Sequence, residues 1–288
     1  MKDKKWLKEQ RTKYNLTQAE LAERINLSKA TIENIEQGKR LGDETTWNKI
    51  ETFFKNNKNT NNTMNSKFLK AIKNQNYYEN FITRSIKSSN AIEGNTLSYA
   101  ETYSIVFNYN SLPLTNVKPR ELYEAINLKY ALSYSLDNLN KFDNGLIINI
   151  GNTINKNIKD TIGYRKIVNY IKGADFVPPK PEMVPSQMSE LIYQYNNSSL
   201  NNIEKIANFH IQFEHIHPFE DGNGRTGRVL INHQLLMSGE IPIVIPEERR
   251  AEYFNYLQNY DVDGFSQMIK DLQQDEINKM NEYIQKED

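Results

Sequence analysis

Between His217 and Arg228 the chain reads HPFEDGNGRTGR, and no other segment restricts its fold as much. Upstream, residues 203–216 carry apolar side chains at helical spacing. Pro218 biases His217 away from right-handed helical angles, so that helix is expected to stop there. Gly222 and Gly224 supply backbone that can turn tightly and approach a ligand closely. A second helix is predicted over 225–237. The segment is therefore a tight loop joining two helices. The free amides that open the second helix, together with the glycine backbone, form an anion site suited to phosphate.

The side chains agree with that reading. Arg225 and Arg228, three apart, share one face of the first turn. Cations there oppose the helix dipole unless they face an anion. Asp221 can hold a hard cation such as Mg²⁺, which takes few carboxylates plus substrate phosphates. His217 has the pKa range of a general base. Two plainer readings compete: a structural histidine beside an ordinary glycine turn, and a metal cluster of His210, Glu214, His215 and His217. The full set within twelve residues favours a phosphate-handling catalytic site.

Composition limits what surrounds this loop. The 288 residues suffice for one large domain, or for a large and a small one. A hydrophobic fraction of 38%, a charged fraction of 25% and a mean hydropathy of −0.73 point to a soluble protein. No apolar run reaches membrane-spanning length, and the charged N-terminus lacks a signal-peptide core. The absence of cysteine excludes disulfides and cysteine-bound zinc, and fits a cytoplasmic location. With 36 basic and 36 acidic residues, nothing chain-wide draws the protein to nucleic acid.

An asparagine-rich stretch divides the chain. Of the ten residues from Asn56 to Asn65, six are asparagine, which is expected to form a flexible linker over about 58–66. Before it, residues 1–57 show helical signals. Thr17 and Glu20 form a capping-box pattern, Leu21 and Ile25 share a face, Ser28 opens another helix with Ile32 and Ile35 inward, and Gly38 closes it. Two short helices in that spacing make a helix-turn-helix. After the linker, residues 67–288 are expected to be almost entirely helical, with helices over 68–86, 100–107, 121–139, 203–216 and 225–237. The exception is a hairpin predicted from Ile167 to Pro179: β-branched and aromatic residues, a turn at 172–175, then a short strand stopped by prolines. The expected class is mainly α with one small β-hairpin.

The His217–Arg228 segment resembles the signature of the Fic family, H-x-F-x-[DE]-G-N-G-R-x-x-R, and matches every defined position. The resemblance runs over about 67–275. It implies a helical fold and transfer of AMP from ATP to a Tyr, Thr or Ser hydroxyl of a target protein. His217 would then take the hydroxyl proton, Phe219 would lock the loop and Asp221 would hold Mg²⁺. Gly222, Asn223 and Gly224 would line the phosphate nest, with Arg225 and Arg228 on the phosphates. The hairpin resembles the family's target-docking flap, formed by Ile171, Lys172, Gly173, Ala174, Asp175 and Phe176. Tyr253 and Phe254 resemble the adenosine wall, with ordinary core aromatics as the alternative. Asp261 stands where some members carry asparagine.

Ser89, Glu93 and Gly94 fit [ST]-x-x-x-E-[GN] and resemble the family's inhibitory helix, here about 82–95. Glu93 would form a bidentate pair with Arg228 and deny it to a γ-phosphate. The N-terminal segment is similar to phage-repressor (Cro/C1 or XRE) helix-turn-helix domains. That resemblance implies a phosphate contact from Gln18, base-edge contacts from Lys29, Ala30 and Asn34, and self-association into a dimer. The segment's net charge of 12 − 9 = +3 is mild, and a protein-interaction module is the alternative. Three functions follow: an autoinhibited protein adenylyltransferase; a Fic-fold enzyme that transfers another nucleotide or phosphocholine, or removes AMP; and a DNA-binding regulator with a sensory Fic domain.

Overall fold

Short polar side chains open several of the helices. The computed structural model describes residues 4–13, 17–25, 27–61, 65–107, 117–171 and 176–284, and divides into two units, Met1–Thr63 and Met64–Asp288.

Among the described residues of the first unit four helices run in order: α1 Lys4–Lys13, α2 Gln18–Arg24, α3 Lys29–Gln37 and α4 Glu44–Asn61. The Ser28 hydroxyl accepts the Thr31 amide at 3.1 Å and caps α3. Gly38 ends it in the left-handed region at φ 75°. Asp43 caps α4 through the Thr46 amide at 2.7 Å. Leu7, Leu21, Ala22, Ile25, Ile32, Ile35, Ile50 and Phe54 form the core, with Trp6 and Trp47 packed against it. Glu36 sits in the last turn of α3, where a carboxylate opposes the helix dipole. Arg11 compensates with two hydrogen bonds, Nε to Oε1 at 2.6 Å and Nη2 to Oε2 at 2.9 Å. Helix α4 continues to Asn61, so the first part of the asparagine-rich stretch is helical where a flexible linker was expected. A helix nucleated on buried Ile50 and Phe54 propagates through asparagine at only ~0.7 kcal/mol per residue.

The second unit contains α5 Ser66–Ala71, α6 Gln75–Ile92, α7 Tyr99–Phe107, α8 Pro119–Asp137, α9 Asn144–Asn155, α10 Val184–Asn197, α11 Asn202–Ile216, α12 Asn223–Met237, α13 Arg250–Asn259 and α14 Val262–Ile284. The helix predicted over 68–86 is two helices. Asn74 starts the second by accepting the Tyr77 amide at 3.0 Å. At the centre α11 packs against α10, α12 and α14, while α12 also rests on α8 and α9. Phe209, Ile211 and Phe213 of α11, Leu230 and Leu235 of α12, and Ile147 and Ile150 of α9 are all buried.

The predicted hairpin is corrected: among the described residues no strand forms. The carbonyls on either side of 172–175 are taken by one side chain instead. Arg165 donates from Nη1 to the Ile167 carbonyl at 3.0 Å and from Nη2 to the Pro179 carbonyl at 2.5 Å. A lone two-stranded ladder is marginal in water, and this clamp replaces it. Lys172, Gly173, Ala174 and Asp175 lie outside the described residues.

Candidate active site

Helix α11 ends at His217, whose φ of 50° and ψ of 61° place it in the left-handed region. A non-glycine residue there costs about 1 kcal/mol, so the surrounding contacts must impose it. They come from Arg165, which is 2% exposed. Its Nε donates to the His217 carbonyl at 2.8 Å, and its backbone amide donates to the Pro218 carbonyl at 2.8 Å. The loop then drives Phe219 into the core, where its ring lies against Gly151 so closely that a Cβ there would meet it at 2.3 Å. Asn223 closes the loop reciprocally. Its Oδ1 accepts the Phe219 amide at 2.8 Å, and its Nδ2 donates to the Phe219 carbonyl at 2.9 Å. Asn223 is thus a loop lock by its side chain and lines the cleft by its backbone. Gly222 supplies the left-handed turn at φ 71° that opens α12.

A polar cleft of about 370 Å³ opens over this turn, lined by His217, Asp221, Gly222, Gly224, Arg120 and Glu124 among others. The His217 Nδ1 lies 3.3 Å from the Glu214 carbonyl. Burial holds the imidazole down at about 4, against the pull of that hydrogen bond and of Glu93, so it is a free base at neutral pH. Asp221 is surrounded by cations: Oδ2 takes Arg120 Nη2 at 2.6 Å, and Oδ1 takes Arg225 Nη2 at 3.1 Å and its neighbouring Gly222 amide at 2.6 Å. Burial alone would raise its pKa, but Arg225 and Arg120 outweigh burial and keep it below the usual range.

The two arginines of the motif part company. Arg225 is 1% exposed and turns to Asp221 and to Glu124, whose Oε1 lies 3.2 Å from Nη1. Arg228 turns to α6. Its Nε donates to the Ser89 hydroxyl at 2.9 Å, and its Nη2 donates to the Ser89 carbonyl at 2.9 Å and to Glu93 Oε1 at 2.7 Å. The pair with Glu93 is therefore single-point, where a bidentate pair was expected: Nη2 alone bonds the carboxylate, and the buried Nη1 has no hydrogen-bond partner among the described residues. Glu93 Oε1 also sits against the first turn of α12: a Cβ on Gly224 would meet it at 2.3 Å. A carboxylate thus rests at the helix N-terminus, where an anion is favoured. Gly94 follows in the left-handed region at φ 92° and ends the helix.

The other expected site residues are placed as follows. Tyr253 is fully buried, its hydroxyl 2.7 Å from His210 Nε2 and its ring 5.9 Å below the Arg228 guanidinium. Phe254 is half-buried under Arg250, at 4.6 Å. Phe176 stacks on His215 at 3.6 Å, and Ile171 is the last described residue before 172–175. His215 donates to the Leu257 carbonyl at 2.7 Å, so the imidazoles of α11 diverge; among the described residues no group of three or more histidine or acidic side chains converges on a metal. Asp221 still suits Mg²⁺, since it stays ionised and needs only substrate phosphates as co-ligands, with Arg120, a half-exposed cation, giving way. In the first unit Lys29 and Ala30 are exposed at the start of α3 and Asn34 is half-buried; Gln18 donates to Glu36 Oε2 at 2.8 Å.

Sequence reasoning missed Arg120, Glu124, Asn155, Asn169 and the clamping role of Arg165. Asn155 donates to the Asp221 carbonyl at 2.8 Å and Asn169 to the Phe219 carbonyl at 2.9 Å. Arg120, Glu124, Asn155 and Asn169 lie some 50 to 100 residues from these partners, so no local pattern announces them.

Residues 141–235 match the Fic/DOC family and residues 7–56 the helix-turn-helix family. Protein adenylyltransferase fic-1 of Caenorhabditis elegans is 32% identical over 172 residues, which make up 57% of this chain and 34% of that protein. Protein adenylyltransferase Fic of Nematostella vectensis is 32% identical over 181 residues, 60% of this chain and 42% of that one. The chain thus spans about a third to two-fifths of these relatives' length. Among solved structures, a Fic-domain signalling protein from Bacteroides thetaiotaomicron aligns with a TM-score of 0.64 and 24% identity, over 73% of this chain and 88% of that one. Fic-1 from C. elegans aligns with a TM-score of 0.65 and 24% identity, over 83% and 72% respectively, so both support the fold. The chain carries a Fic/DOC domain, preceded by a helix-turn-helix domain of the Cro/C1 type.

Proposed function

We propose that this protein is an autoinhibited protein adenylyltransferase, transferring AMP from ATP to a hydroxyl side chain of a target protein or of itself. The observation that carries the proposal is the convergence on one cleft of His217, Asp221 and the open end of α12, with a carboxylate seated where a phosphate would bind. In the transfer, His217 Nε2 takes the proton of the target hydroxyl. The hydroxyl oxygen forms a bond to the α-phosphorus of ATP, the bond from that phosphorus to the bridging oxygen breaks, and pyrophosphate leaves. The backbone of Gly222 to Gly224 and the N-terminal amides of α12 receive phosphate oxygens. Arg228 receives the γ-phosphate once Glu93 yields, and Arg225 keeps Asp221 ionised. Asp221 would hold Mg²⁺, which neutralises phosphate charge when bound.

Glu93 is the brake: it occupies both the Arg228 guanidinium and the helix terminus, and ATP cannot take its reactive pose until that carboxylate leaves. The exposed Ile167, Val168 and Tyr170 offer the target an extended segment beside the cleft, and half-buried Phe254 is left to wall the adenosine, since Tyr253 packs in the core against His210 and beneath Arg228. The test is incubation of wild type, Glu93→Gly and Glu93→Gly/His217→Ala with labelled ATP, UTP and CDP-choline. Label from ATP on the activated form, lost with His217, supports the proposal. Label from another donor shifts it to that chemistry.

A second reading stands beside it because of the helix-turn-helix match. The N-terminal unit binds DNA through Lys29, Ala30 and Asn34, as a dimer, and couples the enzyme to control of expression. A gel shift against the gene's own upstream region tests it.

A further inference from the structure

One buried acid beside the base is unused by the proposed chemistry. Glu214 lies one turn before His217 on α11 and is 8% exposed. Its Oε1 is buried without a hydrogen-bond partner among the described residues. Its Oε2 lies 4.0 Å from His217 Nδ1, the same nitrogen that the Glu214 carbonyl meets at 3.3 Å. From α12 the backbone presses in: a Cβ on Gly227 would stand 2.7 Å from Oε1. Such a carboxyl costs the fold stability, because it is desolvated and makes no hydrogen bond in return. Its neighbours are few. His210 Nε2 lies 3.9 Å away on α11, the Arg228 guanidinium acts on it from α12, Glu93 from the end of α6, and the Tyr253 hydroxyl from α13. None bonds it.

We infer that Glu214 is a positioning residue for His217, holding the imidazole with Nδ1 protonated through its carbonyl and stabilising the imidazolium through its carboxylate. This rests on the adenylyltransferase reading for its consequence in catalysis, though not for the pairing itself. The logic is that of a base oriented by an acid behind it. With Nδ1–H turned to the Glu214 carbonyl, Nε2 keeps its lone pair for the target hydroxyl. When Nε2 gains that proton, an ionised Glu214 faces the new positive charge.

The two groups also sit in opposite protonation states at neutral pH. Burial, with Glu93 adding and Arg228 opposing, pushes Glu214 up to about 8, while His217 is held down at about 4. At neutral pH the proton therefore sits on Glu214 and His217 is a free base. As pH rises through about 8 the carboxyl ionises and His217 becomes the stronger base. Removing Glu93 moves that ionisation lower, since its charge is one of the causes that raise it.

The test has two arms. In the first, wild-type protein with ¹³C-labelled histidine is titrated by NMR, with the His217 signal assigned by its loss in His217→Ala. A step in that signal at the Glu214 ionisation, absent from Glu214→Gln, is expected. A single low step identical in both proteins overturns the pairing. In the second, AMP transfer by Glu93→Gly is compared with Glu93→Gly/Glu214→Gln from pH 6 to 9. The ratio is expected to grow from near unity to about tenfold, within the range of general-base effects. A loss by the same factor at every pH means a merely structural residue and overturns the inference. If Glu93→Gly itself transfers nothing, the adenylyltransferase reading falls while the NMR arm still decides the pairing.

Discussion

Gly151→Ala tests how tightly the catalytic loop is seated. A Cβ at this position in α9 would stand 2.3, 2.4 and 2.7 Å from three atoms of the Phe219 ring. Ordinary contact begins near 3.4 Å, so the ring must retreat by about 1 Å. Two terms then set the stability change. Alanine in the interior of a helix gains up to about 1 kcal/mol over glycine, and overpacking costs about 1–3 kcal/mol. The net is a loss of roughly 0–2 kcal/mol, a fall of at most roughly 8 °C in the melting temperature of a unit this size. Function should suffer far more. Asn223 bonds both the amide and the carbonyl of Phe219, so the loop shifts as one piece, carrying His217 on one side and Asp221 on the other. Displacement on that scale lowers a positioned reaction about 100-fold. The assay is AMP transfer by Glu93→Gly/Gly151→Ala against Glu93→Gly, at a temperature where circular dichroism shows both folded. Adding Phe219→Leu should recover part of the loss by removing the clashing ring atoms. Unchanged transfer by a folded Gly151→Ala protein would refute the claim that this contact sets the loop.

Other expectations follow from the same geometry. His217→Ala in the Glu93→Gly background should lower transfer by about 10²–10⁴-fold with melting temperature little changed, measured by label incorporation and calorimetry. Arg120→Gln frees one oxygen of Asp221, so ATP binding should need less Mg²⁺, read by titration calorimetry at several Mg²⁺ concentrations. Both tryptophans, Trp6 and Trp47, belong to the N-terminal unit, so their fluorescence reports its unfolding within the whole chain. Arg11→Met should cost that unit about 2 kcal/mol, a fall of roughly 8–16 °C. The Glu36 pKa is lowered, since hydrogen bonds from Arg11 and Gln18 outweigh burial. Its contribution is thus present above the unfolded value of about 4.3 and is lost as pH falls through the lower folded value. Acid melts should therefore separate wild type from Glu36→Gln most at neutral pH.

What could be read without coordinates was local chemistry. Pro218, Gly222 and the run of polar groups after His217 act on their own neighbours, so the helix–loop–helix follows from covalent sequence. Ser28 and Gly38 likewise bound α3 at the expected residues. The failures were of two kinds. Ile167 to Ile171 has strand-forming side chains, but the Ile167 carbonyl is taken by Arg165, and composition says nothing about which acceptor a guanidinium will fill. The single-point form of the Glu93–Arg228 pair, with Nη2 shared between Glu93 and the Ser89 carbonyl and Nη1 unpartnered among the described residues, is a matter of tertiary geometry. From α8, about 100 residues earlier, Arg120 reaches Asp221 and Glu124 reaches Arg225, and only the packing of α8 on α12 brings them there. Asn74 was a legible signal that went unused: a capping residue between two apolar runs that splits one predicted helix into α5 and α6.

The central claim is that the cleft transfers AMP and that Glu93 prevents it by holding Arg228 and the open end of α12. The most direct measurement compares wild type with Glu93→Gly, each incubated with Mg²⁺ and ATP labelled on the α-phosphate, followed by mass spectrometry of the protein alone and with lysate. The expected result is a mass increase of one AMP on hydroxyl side chains with Glu93→Gly, little with wild type, and none once His217 is also alanine. Equal incorporation by wild type and Glu93→Gly would contradict the brake, and no incorporation by either would contradict the transfer itself.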